Sequence, residues 1–244
     1  KLFQFLARDE ARHAGFLSRA LVAEGIEVDL PHLGGKRAAT WFPISWVIYS
    51  VYLSEKIGYW RYILMDRHLK ANPDQAFAPL FDFFEPWCQD ENRHGDCFTV
   101  MMRCWPGITK GFRGKLLSRF FLWSVFLTHT LTVCERGEFY ELLGIDPKEF
   151  DEEVIKRTNH TSKNAFPWVF NLDDNKFWDL RNKIIESFRA FVGAKGLTKP
   201  VKFVKFATLI FKQFALPMEK TNALRYDKNV NFTGQDILNF WTDK

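Results

Sequence analysis

Two short stretches with the same order of side chains decide the fold: Asp9-Glu10-Ala11-Arg12-His13 and Asp90-Glu91-Asn92-Arg93-His94. Each holds the spacing Glu-x-x-His inside a segment whose apolar residues recur with helical periodicity. Residues three apart on a helix lie about 60° apart around its axis, so the carboxylate and the imidazole share one face. The repeat therefore predicts two helices, each presenting one Glu and one His to a common interior.

A further carboxylate lies between the two motifs. Glu55 is the one acid in the stretch 41–62, which is otherwise mostly apolar and aromatic. A buried carboxylate is costly in such surroundings unless it is paired or binds a metal. Di-iron carboxylate proteins of the four-helix-bundle class combine two Glu-x-x-His helices with one Glu from each of two other helices. We therefore predict one metal centre formed by Glu10, His13, Glu55, Glu91 and His94.

An aspartate precedes the glutamate of each motif. A histidine that binds a metal through one ring nitrogen usually donates its other N–H to an acceptor. A pseudo-twofold relation between the two motif helices would bring Asp9 to His94 and Asp90 to His13. We predict that both aspartates orient the metal-binding imidazoles; the alternative interpretation is that both are surface acids.

The composition is that of a folded helical protein with an excess of aromatic residues. The chain has 244 residues, of which 47% are hydrophobic and 26% charged, and it contains 26 Phe and 9 Trp. So many apolar rings indicate a thick helical core, a pocket for a flat apolar ligand or contact with a membrane. The modest net charge of +5 and the lack of an arginine-rich run argue against nucleic acid as a partner.

Apolar periodicity predicts helices throughout the chain. They are expected over residues 1–24, 43–71, from 79 or 86 to 104, 135–143, 147–164 and 174–193. The uncharged stretch 120–134 is shorter than the ~20 residues of a membrane-spanning helix, so we expect a buried helix. No β-hairpin signal occurs, and the predicted fold class is all-α. It comprises a ferritin-like di-iron helical bundle over 1–134, helices packed on it over 135–193, and a basic amphipathic segment with a tail over 194–244.

The segment 199–214 combines basic and aromatic residues at helical spacing. One arc gathers Phe203, Val204, Ala207, Ile210, Phe211 and Phe214; the opposite side gathers Lys199, Lys202, Lys205, Lys212 and Gln213. Phe206 and Leu209 break this division. A basic side opposite an aromatic one is typical of a helix that lies in a membrane interface without spanning it. The alternative is a helix docked on the protein's own core.

Three stretches together resemble one enzyme family, the aerobic, di-iron magnesium-protoporphyrin IX monomethyl ester (oxidative) cyclases. The residues that carry the likeness are ARDEARHAGFL at 7–17, YLSEKIGYWRY at 52–62 and WCQDENRHGD at 87–96. The likeness is specific over residues 5–104 and looser to about residue 190. The last 50 residues are not diagnostic by inspection.

The resemblance implies an oxygen-dependent enzyme of chlorophyll biosynthesis. Such an enzyme closes the isocyclic ring of magnesium-protoporphyrin IX monomethyl ester to give protochlorophyllide. It implies two iron ions, dioxygen as co-substrate, and electrons ultimately from NADPH or ferredoxin through a donor protein. It also implies an auxiliary cyclase subunit and peripheral attachment to a photosynthetic membrane, in a thylakoid or plastid or in a bacterium.

The same resemblance implies a sixth protein ligand. The family carries another Glu on a helix that precedes the first motif, and we expect that first bundle helix upstream of Lys1. The five residues named above would then be five of six ligands.

Two other functions remain open at the level of sequence. Another ferritin-like di-iron oxygenase, such as a soluble acyl desaturase, shares the Glu-x-x-His pattern and would need a long narrow pocket. A non-catalytic cyclase-like subunit of a photosynthetic pigment–protein assembly would keep the fold without turnover.

Overall fold

The computed structural model describes residues 2–26 and 42–221. Its helices are α1 (Leu2–Ala23), α2 (Ile44–Ala71), α3 (Phe84–Cys104), α4 (Pro106–Thr109), α5 (Gly111–Glu135), α6 (Gly137–Leu142), α7 (Pro147–Ser162), α8 (Asn175–Val192) and α9 (Thr198–Phe214). Two 3₁₀ turns, Pro73–Gln75 and Pro79–Phe83, connect α2 to α3. The all-α prediction is confirmed. Most of the predicted linker 25–40 and the tail beyond residue 221 lie outside the described residues.

Local sequence explains several helix ends. Pro86 lies in the first turn of α3, where its missing N–H costs no hydrogen bond. The carboxylate of Asp146 caps α7 by accepting from the backbone N–H of Glu149 at 2.7 Å. Asp174 caps α8 in the same way through the N–H of Lys176 at 2.9 Å. These short-range signals help to explain why the ends of α7 and α8 lie within two residues of the predicted ones.

The core lies between α2 and α3 and around α5. Helices α2 and α3 pack together more extensively than any other pair of elements, and α5 packs against α2, α7, α8 and α9. Among the described residues α5 alone is long and apolar enough to cross a membrane by length and composition. Its side chains Leu122 and Phe126 are nevertheless buried in the protein core. The prediction of a buried helix therefore holds, although α5 has 25 residues because it extends beyond the uncharged stretch.

A small sheet was not predicted. Strands β1 (Trp168–Phe170) and β2 (Met218–Lys220) pair antiparallel, with Val169 opposite Glu219. Asn159 of α7 holds β1 from the other side, donating to the Phe170 carbonyl at 2.8 Å. The two strands have three residues each and are separated by α8 and α9, so no hairpin spacing reveals them.

Helix α9 forms where the amphipathic pattern predicts a helix, but its faces differ from the predicted ones. Phe206, which breaks the predicted pattern, is buried against Phe188 and Phe191 of α8, with ring centroids 5.5 and 6.1 Å apart. Gln213, assigned to the polar side, is also buried. Three residues of the predicted apolar arc, Phe203, Val204 and Phe211, do face outward, and the exposed Leu197 and Val201 extend this stripe. One side of the helix thus docks on the protein while the other remains apolar and exposed.

Candidate metal centre

Three helices bring the five predicted ligands together. The side chains form two overlapping groups of three: Glu10, His13 and Glu91, and Glu10, Glu55 and His94. Within each group, one potential ligand atom from every residue lies within 4.8 Å of the others. Glu10 belongs to both groups, so its carboxylate lies between two neighbouring positions that a metal ion could take.

Both imidazoles present the same nitrogen to the carboxylates. His13 Nδ1 lies 3.3 Å from Glu91 Oε1 and 3.8 Å from Glu10 Oε1. His94 Nδ1 lies 3.1 Å from Glu10 Oε1 and 3.3 Å from Glu55 Oε2. The ring nitrogen that faces the centre is therefore Nδ1 in both motifs.

The opposite nitrogens face the two aspartates, each on the other motif helix. His13 Nε2 lies 3.2 Å from Asp90 Oδ2, and His94 Nε2 lies 3.5 Å from Asp9 Oδ2. Arg12 contacts both aspartates and Arg93 contacts Asp90. The pairing is crossed, as a pseudo-twofold relation between α1 and α3 requires.

The negative charge of the carboxylates in the cluster favours protonation of the two imidazoles. Burial opposes the charged form of His13, but the carboxylates of Glu10, Glu91 and Asp90 outweigh it and raise its pKa to about 10. His94 behaves alike: burial is outweighed by Glu10 and Glu55, and its pKa rises to about 10.

The pKa values of the Glu10 and Glu55 carboxylates shift in opposite directions. The neighbouring imidazoles of His13 and His94 lower the pKa of Glu10 to about 2. Burial, assisted by Glu91 and opposed by His94, raises the pKa of Glu55 to about 7. The cluster thus concentrates negative charge that two imidazolium protons offset, and metal ions would take the place of those protons.

The residues fit iron. His13 Nδ1 is fully buried and has no hydrogen-bond partner, because its approach to Glu91 does not have hydrogen-bond geometry. A buried ring nitrogen left unsatisfied beside carboxylates is the arrangement a metal ion completes. Three carboxylates and two imidazoles are five of the six protein donors of a di-iron site in a helical bundle.

Sequence reasoning missed Trp87. Its indole Nε1–H donates to Glu91 Oε1 at 2.6 Å, and its ring stacks on His13 with centroids 4.8 Å apart. One side chain thus holds a carboxylate of α3 and an imidazole of α1. The available signal was position: Trp87 lies four residues before Glu91, on the same helix face.

Comparison with known proteins relates this geometry to named families. Residues 1–102, which contain all five candidate ligands, match the Rubrerythrin family. Two relatives are named magnesium-protoporphyrin IX monomethyl ester [oxidative] cyclase, from Prochlorococcus marinus strains MIT 9211 and MIT 9313. They are 73% and 74% identical over 226 residues, covering 93% of this chain and 65% of each relative.

A more distant relative and the alignment lengths complete the comparison. The cyclase 2 of Thermosynechococcus vestitus is 52% identical over 216 residues, covering 88% of this chain and 61% of that protein. The chain thus spans less than two thirds of the length of these curated relatives. No solved structure matches it.

These matches settle the fold class and extend the likeness. The ferritin-like assignment is confirmed by the Rubrerythrin match. Alignment over 226 of the chain's residues continues into the last 50, which inspection of motifs had left undecided. The carboxylate–histidine cluster and the Rubrerythrin match together point to iron as the metal.

Proposed function

We propose that the chain is a magnesium-protoporphyrin IX monomethyl ester oxidative cyclase and that it carries the catalytic di-iron centre of such an enzyme. The reaction is the oxygen-dependent formation of the isocyclic ring that yields protochlorophyllide. The observation that carries the proposal is the convergence of Glu10, His13, Glu55, Glu91 and His94 in a chain 73% identical to a protein of that name.

In this proposal the chain's residues hold and orient the metal centre. Glu10, Glu55, Glu91, His13 and His94 would hold the iron, which when bound supplies electrons to dioxygen for oxidation of an unactivated C–H bond. Asp9 and Asp90 accept the Nε2–H of the two imidazoles and so keep each Nδ1 free to bind.

Two further residues complete the setting of the centre. Trp87 donates to Glu91 and holds that carboxylate in one orientation. Arg12, in contact with Asp9 and Asp90, offsets their charge so that both remain acceptors. Electrons would arrive through a separate donor protein, ultimately from NADPH or ferredoxin, and an auxiliary cyclase subunit would take part.

The test combines iron analysis with turnover of the intact protein. We expect about two iron ions per chain and conversion of the magnesium porphyrin ester under dioxygen with a suitable reductant. Glu55→Ala should abolish both iron binding and turnover. Glu152→Ala, which removes an acid of a surface pair with Lys156 on α7, is the matched control and should change neither.

Each other result contradicts the proposal in a distinct way. Iron without turnover of the porphyrin, but with oxidation of an acyl substrate, would identify another di-iron oxygenase. A folded protein that binds no iron would identify a non-catalytic subunit of a pigment–protein assembly.

We also propose peripheral attachment to a photosynthetic membrane through α9. Four residues of the outward stripe, Leu197, Val201, Val204 and Phe211, recur at helical spacing, and the lysines of α9 are available for anionic headgroups. In the proposed domain organisation, residues 1–134 form the metal-binding bundle, 135–193 the helices packed on it, and 194–244 the basic amphipathic segment, which carries the membrane contact, and a tail.

A liposome flotation assay tests the attachment. Val204→Asp combined with Phe211→Asp should abolish flotation with anionic vesicles. Leu142→Asp, at a residue 71% exposed on α6, controls for a new surface acid and should float like the wild type. Equal flotation of all three proteins would exclude α9 as the contact.

A further inference from the structure

A buried lysine lies beside the candidate metal centre. Lys56 directly follows Glu55 on α2, and only 2% of its surface is exposed. Its ammonium group donates to Asp96 Oδ1 at 2.5 Å, to Asn92 Oδ1 at 2.7 Å and to the Asn92 carbonyl at 3.1 Å. All three N–H bonds of the ammonium are therefore used, and every acceptor belongs to α3.

The methylene groups of the Lys56 side chain lie directly against Gly95 of α3, where only a glycine leaves room for them. A Cβ atom at Gly95 would lie 2.6 Å from Lys56 Cε and 2.7 Å from Cδ, so a larger residue would displace the chain of methylenes. Gly95 directly follows His94. The Lys56 side chain thus crosses α3 at the level of the candidate ligands.

The acceptors lie on either side of His94 along α3, and the first of them directly follows Glu91. Asn92 follows Glu91, and Asp96 lies two residues after His94, one helical turn beyond Asn92. A helix rises about 1.5 Å per residue, so a slip of one residue between α2 and α3 would stretch these bonds beyond hydrogen-bonding distance. The same slip would separate Glu55 Oε2 from His94 Nδ1, which lie 3.3 Å apart.

A charged pair is not needed here for stability alone. A buried ion pair can often be replaced by apolar residues of similar volume without loss of stability, because desolvation of the charges offsets their attraction. Hydrogen bonds have a directional requirement that apolar contacts lack. The three bonds of Lys56 therefore specify position along the helix axis more sharply than packing does.

We propose that Lys56, with Asp96, Asn92 and Gly95, is a positioning device that fixes the register of α2 against α3 and so places Glu55 opposite His94. The inference rests on the metal centre of the proposed function. It concerns affinity for iron, and it can be judged without turnover.

The test separates register from stability with a paired substitution. Lys56→Met alone leaves Asp96 buried without its cation, and both the thermal midpoint of the iron-free protein and its iron affinity should fall. Lys56→Met combined with Asp96→Leu should restore the thermal midpoint to near the wild-type value. Its affinity for ferrous iron, measured by competition with a chelator, should remain about 10–100-fold weaker.

A surface pair provides the matched control. Lys163 of α7 and Glu219 of β2 form a 2.7 Å ion pair between elements, with both side chains about half exposed. Lys163→Met should leave both the thermal midpoint and the iron affinity unchanged.

The outcomes separate this inference from the proposed function. A stable double variant that binds iron as tightly as the wild type would overturn the positioning role. Wild-type protein that binds iron but does not convert the porphyrin ester contradicts the proposed function alone, and the double variant still decides the role of Lys56. Wild-type protein that binds no iron overturns both.

Discussion

The two sides of the metal centre are anchored very differently. On one side, α2 and α3 pack closely and bury Glu91, His94 and Lys56. On the other, His13 is the one buried residue of α1, and 52% of the Glu10 side chain is exposed.

Apart from the centre itself, α1 is held by few contacts. Its rings Phe3 and Phe16 meet Phe98 and Phe83, with centroids 6.5 and 5.0 Å apart. Packing therefore preforms the α2–α3 half of the site, whereas α1 depends much more on the polar cluster, and on metal where it binds. The predictions below test this contrast.

The largest effect is expected from removing a ligand on either side. Glu91→Ala and Glu10→Ala should each weaken iron binding by more than about 100-fold. Mutation of a residue that only hydrogen-bonds to a ligand already lowers metal affinity by about 10–100-fold. The iron-free proteins should differ. Glu91→Ala strands the Trp87 indole N–H and should lower the free energy of unfolding by about 1–3 kcal/mol, while Glu10→Ala should lower it by less, because half of the Glu10 side chain is exposed. Chelator competition and urea unfolding measure the two quantities, and equal destabilisation would contradict the contrast.

Metal removal should loosen α1 selectively. With free iron at 100 times its dissociation constant, binding suppresses opening of the site up to about 100-fold. Trypsin should therefore cleave after Arg8, Arg12 and Arg19 much faster once a chelator removes the iron. Cleavage after the exposed Arg189 of α8 serves as the internal reference and should not change. Peptide mass spectrometry follows both rates, and parallel acceleration at all sites would show general unfolding instead.

The aspartates that face the imidazoles should matter unequally. Asp90→Ala and Asp9→Ala should lower iron affinity by about 10–100-fold, with the larger loss for Asp90. That residue lies closer to its histidine, at 3.2 Å against 3.5 Å, and it also contacts Arg12 and Arg93. Asp173→Ala, at an exposed residue between β1 and α8, is the control. Unchanged iron content in both variants would remove the aspartates from the centre.

The smallest effect is expected at the indole that connects the two sides. Trp87→Phe keeps a ring against His13 but removes the donor to Glu91. Loss of one hydrogen bond to a charged group should weaken iron binding about 10-fold. Trp178→Phe, which removes an indole donor to the Leu172 carbonyl far along the chain, should leave iron affinity unchanged. An equal loss in both variants would indicate a general effect on packing.

Sequence alone predicted that the candidate ligands converge because helical periodicity fixes which residues share a face. Glu10 with His13 and Glu91 with His94 followed from spacing, and the crossed aspartates followed from the symmetry of the repeat. The roles of these residues as ligands stay predictions, although the structure brings them together.

Other features depend on tertiary contacts that no local pattern encodes. Lys56 belongs to a stretch whose aromatic residues suggest only a core, and its three acceptors lie 36 and 40 residues away. The strands β1 and β2 are too short and too far apart for a pairing signal. The faces of α9 were assigned from the polarity of its residues. Its contact with α8 depends instead on the packing of Phe206 against the rings of Phe188 and Phe191.

The position of Glu10 links the two metal positions thermodynamically. Because its carboxylate belongs to both groups, an ion at either position orders a donor that the other position also needs. The first ion therefore removes part of the ordering entropy that the second would otherwise meet, which favours cooperative loading. Linkage is reciprocal, so in the proposed centre a change at one position would shift the affinity for metal at its neighbour.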